Sequence, residues 1–116
     1  MSMNARAHLW YGVIEKRSKI MKVADFHVPT KKLDEWEKLE VLASEFGFDE
    51  FTLQREGYEE TEDHAIAAWS KLQYDFSDTR AFKMPEQGQL DEKWKKIAQK
   101  LQIKKKPRWY LWTEYC

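Results

Sequence analysis

Leu90, Trp94, Ile97 and Leu101 recur at spacings of four, three and four, and Pro107 forbids continuation of the helix they describe. Asp91 and Glu92 stand in its first turn and lysines gather toward its end, the arrangement that the helix dipole favours. Directly after the proline, Arg108 to Tyr115 reads as a strand. Trp109, Leu111, Thr113 and Tyr115 lie on one parity, with Tyr110, Trp112 and Glu114 on the other. Large side chains on both parities describe a strand buried on two sides, or one half buried against helices.

The rest of the chain supplies more of both element types. His8 to Ile14 is rich in strand formers, with Gly12 marking a bulge or close approach. Lys19 to Val28 alternates, and joined through Glu15 to Ser18 the two runs read as a hairpin. Pro29 then stops the strand and Thr30 serves as an N-cap. Leu33, Trp36, Leu39, Ala43 and Phe46 follow at helical spacing, so a helix is expected over Lys31 to Phe46, with Gly47 as its C-cap. Phe48 to Arg55 reads as a third strand closed by a turn at Gly57. Thr61 is placed to cap a second helix striped by Ala65, Trp69, Leu72 and Phe76. Asp78 to Gly88 has no clean period and reads as a connecting loop.

The expected order, β-β-α-β-α-α-β, is that of one small α+β domain spanning residues 1–116. It would hold a largely antiparallel sheet of about four strands with three helices on one face. Leu33 to Trp36 in the first long helix echoes Leu90 to Trp94 in the last, about half a chain apart.

A lone cysteine, Cys116, cannot staple the domain or build a thiolate metal site, so stability must come from packing, and a reducing, cytoplasmic setting is the simpler expectation. The apolar run Leu9 to Ile14 is too short to span a bilayer, and no membrane contact is expected.

Charge is the other constraint. The 20 basic and 20 acidic side chains cancel, but they are segregated. Residues 1–32 carry a balance of +5, residues 33–63 one of −10, and residues 93–108 hold eight basic side chains and no acid. The acidic candidates for partner binding are Glu56, Glu59, Glu60, Glu62 and Asp63. The basic and aromatic candidates are Lys93, Lys96, Lys100, Lys104, Lys105, Lys106, Arg108, Tyr110 and Trp112. Opposite patches would act on encounter rate and specificity with a protein partner. A basic stretch that runs into aromatic rings also fits single-stranded nucleic acid, whose phosphates take the cations and whose bases stack. Trp36, Trp69 and Trp94 fall on predicted helix stripes and read as core, whereas Tyr11, Tyr110 and Trp112 are candidates for an open sheet face. That face could bind a partner or close on itself as a homodimer.

Catalytic patterns are sparse. Asp25 with His27, and Glu60 with His64 beside further acids, are the only suggestive pairs, and neither supplies the further ligands that a hydrolytic metal site needs. The serines lie in no nucleophile-elbow context, and four scattered glycines make no phosphate loop. The sequence therefore points away from an enzyme, and no catalytic residue, metal or cofactor is expected. It points toward a protein-binding domain that occupies a macromolecular partner, with nucleic-acid binding through Lys104 to Trp112 as the alternative and a metal-dependent enzyme as a more distant third. Inhibitors and immunity-type proteins of phages and mobile elements share this size and build, an analogy at the level of fold alone.

Overall fold

The computed structural model describes residues 5–54, 60–73 and 83–115. Strand β1 (Ala5–Lys16) runs without a loop into α1 (Arg17–His27), and α2 (Glu35–Phe46) leads to β2 (Asp49–Gln54). Then come β3 (Glu60–Gln73), α3 (Gln87–Leu101) and β4 (Arg108–Tyr115). The four strands form one antiparallel sheet in the order β2-β3-β1-β4, which is the split β-α-β arrangement of ferredoxin-like domains with its first helical connection divided in two. The expected α+β class is what the chain adopts, with four strands and three helices among the described residues.

The main core lies between the sheet and the helices. Ile20, Met21 and Ala24 of α1, Leu39 and Leu42 of α2, and Leu90, Trp94, Ile97 and Leu101 of α3 close over Tyr11, Val13, Ile66 and Ala68. All four stripe residues expected for the last helix are buried. Asp34, rather than Thr30, caps α2 through a reciprocal capping box with Glu37, and Gly47 ends that helix at φ 74°. Thr30 instead accepts from the Lys32 amide in the turn before it. Gly88, read as loop, lies in the first turn of α3.

Two elements differ in kind from expectation. The strand expected at Lys19 to Val28 is α1, and no hairpin joins it to β1. Nothing in Glu15 to Ser18 offers the Gly, Asn or Asp that a tight hairpin turn needs, and the buried residues Ile20, Met21 and Ala24 follow a helical, not a two-residue, period. The helix expected from Thr61 is β3. Ala65, Ile66, Ala67 and Ala68 are all fully buried, so this stretch faces packed neighbours on both sides and shows no alternation, while its alanines imitate a helix. Phe76 and Gly57 lie outside the described residues.

β3 carries one residue more than β1 beside it. Tyr11 pairs with Trp69 but Gly12 with Ala67, which leaves Ala68 as the bulge. A Cβ on Gly12 would drive into the Ile66 carbonyl oxygen and stand 2.8 Å from the Ala67 Cα, so the close approach read at this position is real and backbone-bound. Gly12→Ala is accordingly expected to lower unfolding free energy by about 1–3 kcal/mol in denaturant titration. Gly88→Ala, where the added carbon meets nothing within 4 Å, should be neutral or stabilising by up to about 1 kcal/mol.

Candidate functional site

Alternation along the strands sorts the aromatic residues between the two faces of the sheet. Tyr11, Trp69 and Trp109 turn toward the helices. Their ring centroids lie 5.1 Å (Tyr11 to Trp109) and 5.8 Å (Trp69 to Trp109) apart. The Trp109 indole N–H donates to the Gln87 side chain at 3.1 Å, the Gln87 amide donates to Asp91 Oδ1 at 3.0 Å, and the Tyr11 hydroxyl donates to the same oxygen at 2.6 Å. Tyr11 is therefore a buried tie between β1 and α3, not a member of the open face. Of the three tryptophans read as core, Trp94 is buried, Trp69 is half buried on a strand, and Trp36 is exposed on α2.

The helix-free face carries a second cluster. Trp10, Ala65 and Ala67 are buried there beneath Ile14, Phe51, Leu53 and Tyr110. Tyr110 stacks on Trp10 at 4.3 Å, Phe51 meets the same indole edge-on at 5.4 Å, and His8 stacks on Phe51 at 4.0 Å. Trp112 stands opposite His8 in the ladder, and Arg108 opposite Gly12. An aromatic band thus crosses from β2 to β4 on the side that, among the described residues, no helix covers. The Trp10 indole nitrogen is buried without a hydrogen-bond partner, a cost that the ring packing must offset.

The charged blocks flank this band on opposite edges. The exposed acids of α2 (Glu35, Glu37, Glu40, Glu45) lead into Asp49 and Glu50 on edge strand β2, whereas Lys104 to Arg108 lead into β4 at the other edge. Two intervening strands set the edges about 14 Å apart. The predicted sets are therefore divided. Arg108, Tyr110 and Trp112 share the helix-free face. Lys93, Lys96 and Lys100 are exposed on α3, on the helical side, with Lys100 Nζ over the Phe46 ring at 4.8 Å. Lys104 and Lys106 are exposed in the connection, but Lys105 donates to the Ile14 carbonyl at 2.8 Å and lies 3.7 Å from buried Glu15, which Lys19 also approaches at 3.4 Å. Lys105 is thereby committed to holding β1. Glu56 and Glu59 lie outside the described residues, Glu60 begins β3, and Glu62 and Asp63 are consecutive strand residues that turn to opposite faces.

Sequence reasoning missed the polar group under Trp36. His64 is fully buried, its Nε2 pairs with the Glu50 carboxylate, its Nδ1 lies 3.4 Å from the Thr52 hydroxyl, and the Trp36 ring is 6.0 Å away, with the Arg17 guanidinium 5.7 Å above that ring. His64 has no accessible surface and ties β3 to β2. Glu60, expected to share a helix face with it, is four residues away along a strand. His27, paired in expectation with Asp25, instead bonds the Lys100 carbonyl at 3.0 Å, while Asp25 takes the buried Lys38 ammonium at 2.6 Å. Among the described residues no group of three or more His, Cys, Asp or Glu is placed to hold a metal ion, and no helix is long and apolar enough to cross a membrane.

No family model matches the chain, and no curated protein or solved structure matches it. The geometry alone carries the functional argument.

The Tyr11 contact has a measurable signature. Burial, then the hydrogen bond to Asp91 and its charge, pushes the phenol up to about 12, and the same bond, with that from Gln87, holds the Asp91 carboxyl below its ordinary value. Because the folded phenol is harder to ionise than the unfolded one, its stabilisation is complete below pH 10 and is lost as pH rises through 12. The Asp91 contribution runs the other way, present above the ordinary carboxylate range and lost in acid. Ultraviolet titration of the folded protein should show one tyrosine ionising near pH 12. Tyr11→Phe should abolish that step, and Asp91→Asn should move it part of the way back toward 10.

Proposed function

We propose that this domain is a non-catalytic protein-binding module that acts by occupying a macromolecular partner, in the manner of a small inhibitor or immunity-type protein of the cytoplasm. The observation that carries the reading is the aromatic band of the helix-free face, set between an acidic β2 edge and a basic β4 edge. Tyr and Trp give large contact area at little entropic cost, and Arg108 beside Tyr110 and Trp112 completes the side-chain types that dominate binding hot spots. A rim of both signs suits a protein surface with its own mixed charge.

Nucleic-acid binding is the second reading, favoured by the placement of Arg108, Tyr110 and Trp112 on one face. Two features weigh against it. Tyr110 already stacks on Trp10, and Asp49 of β2, opposite Ala67, borders the same band and repels phosphates.

The two readings separate in one set of measurements on the purified domain and on the partner it retains from its host. Tyr110→Ala with Trp112→Ala should weaken binding to that partner by at least about 2 kcal/mol, roughly 30-fold. Lys104→Glu with Lys106→Glu should mainly slow association. Retention of the partner by both pairs overturns the proposal. Steeply salt-dependent binding of single-stranded RNA or DNA that Trp112→Ala removes replaces it with the second reading.

A further inference from the structure

The two edges of the sheet are built in opposite ways. β2 has six residues, a register irregularity between Thr52 and Gln54, and acids at Asp49 and Glu50. Short length, irregularity and charge are the devices that keep an exposed edge from pairing. β4 is longer and regular, and its charges, Arg108 and Glu114, stand only toward its two ends. Its eight residues continue in unbroken register with β1 from Gly12 to Ala5, and among the described residues it pairs with no other strand. Large side chains stand on both of its faces, Trp109 and Leu111 toward the helices and Tyr110 and Trp112 away from them. Leu111 is 68% exposed. This is the composition of a central strand in an edge position.

We infer that a second copy of this chain completes β4, the two β4 strands pairing antiparallel about a twofold axis normal to the sheet. Such an axis keeps the helices of both copies on one side, so residues that stand opposite must share a face and hence a parity. A register centred on Leu111 satisfies this along the strand. It sets Leu111 against itself, Tyr110 against Trp112 of the second copy, Trp109 against Thr113, and Arg108 against Glu114. Symmetry repeats the aromatic and the opposite-charge pairings, both of which stabilise antiparallel ladders. The Lys104 to Lys106 segments then lie at opposite ends of the shared ladder, upwards of about 20 Å apart and beyond the Debye length at physiological salt. Centring on Tyr110 shortens the ladder to Arg108 through Trp112, and centring on Trp112 sets Tyr110 against Glu114 and leaves Arg108 facing no charge. The acidic β2 edges end the resulting eight-stranded sheet and oppose further growth. The pairing draws on β4 residues that the function proposed above also uses, Arg108, Tyr110 and Trp112, but it leaves the helix-free face of both copies accessible, and Leu111, on the opposite parity, tests it apart from that reading.

Sedimentation velocity on the full chain across the micromolar range tests the inference, with a species of twice the 14.0 kDa monomer mass expected. Leu111→Lys alters an exposed position and sets like charges directly opposite, so it should weaken association by about tenfold or more with the circular dichroism spectrum unchanged. Arg108→Glu should weaken it as well, and Arg108→Glu with Glu114→Arg should restore it, which keeps the test decisive if Leu111→Lys does not fold. A monomer at every concentration, or a dimer indifferent to Leu111→Lys, overturns the pairing. A charge-swapped double variant no tighter than Arg108→Glu overturns the register.

Discussion

Gly12 stands where β3 carries its extra residue, and the side-chain phase of β3 beyond that point depends on the step. Before the bulge, His64 and Ile66 face the helices; after it, Trp69 does, so the even-numbered pattern becomes odd. Without Ala68 as an additional residue, Trp69 would face away from Tyr11 and Trp109, and Ser70 and Leu72 would turn into the helical side. The bulge forms only because β1 presents no side chain to the Ile66 and Ala67 backbone. One absent Cβ thus underlies the separation of the two aromatic clusters, the buried one that ties α3 to the sheet and the band on the open side.

The sheet also decides what the segregated charge can do. In the linear chain the acidic and basic blocks are separated by about thirty residues, which says nothing about distance in space. Strand order answers it: α2 delivers the acids to one edge, and the connection after α3 delivers the bases to the other. Lys105 and Lys38 show that local ties are made within this scheme, one to Glu15 and one to Asp25, and these two cations serve the fold. Exposed charge such as that of Lys93, Lys96, Lys104 and Lys106 acts through long-range steering more than through net stability.

Elements whose exposed and buried sides differ were legible in the residues. α3 and β4 came through with their stripe and their alternation, Gly47 as a cap and Gly12 as a close approach. β3 was not, because burial on both faces removes the contrast from which a period is read, and its alanines are small enough for either structure. α1 was not, because Ile20, Ala24 and Phe26 satisfy a two-residue period while Ile20, Met21 and Ala24 satisfy a helical one, and only the neighbours decide. The band of the open face was half visible. Parity puts Tyr110 and Trp112 on one face together, but it cannot say which face meets the helices, nor which of Trp10 and Tyr11 does. The His64 to Glu50 pair joins residues fourteen positions apart across two strands, and no local spacing signals it.

The strand order also has a temporal meaning. β1 and β2 belong to the first half of the described chain, yet they never touch, because β3 lies between them. While residues 5–54 emerge during synthesis, they can form helices and bring them together, but no strand of theirs has a mate. The first ladder open to the chain is the hairpin of β2 with β3, and β1 then enters beside β3 across more than forty residues of intervening sequence. Sheet closure waits for β4, after the whole of α3. Such non-local pairings slow folding, and until they form β1 carries Leu9, Trp10, Tyr11, Val13 and Ile14 uncovered, the segment whose protection the nascent chain needs most.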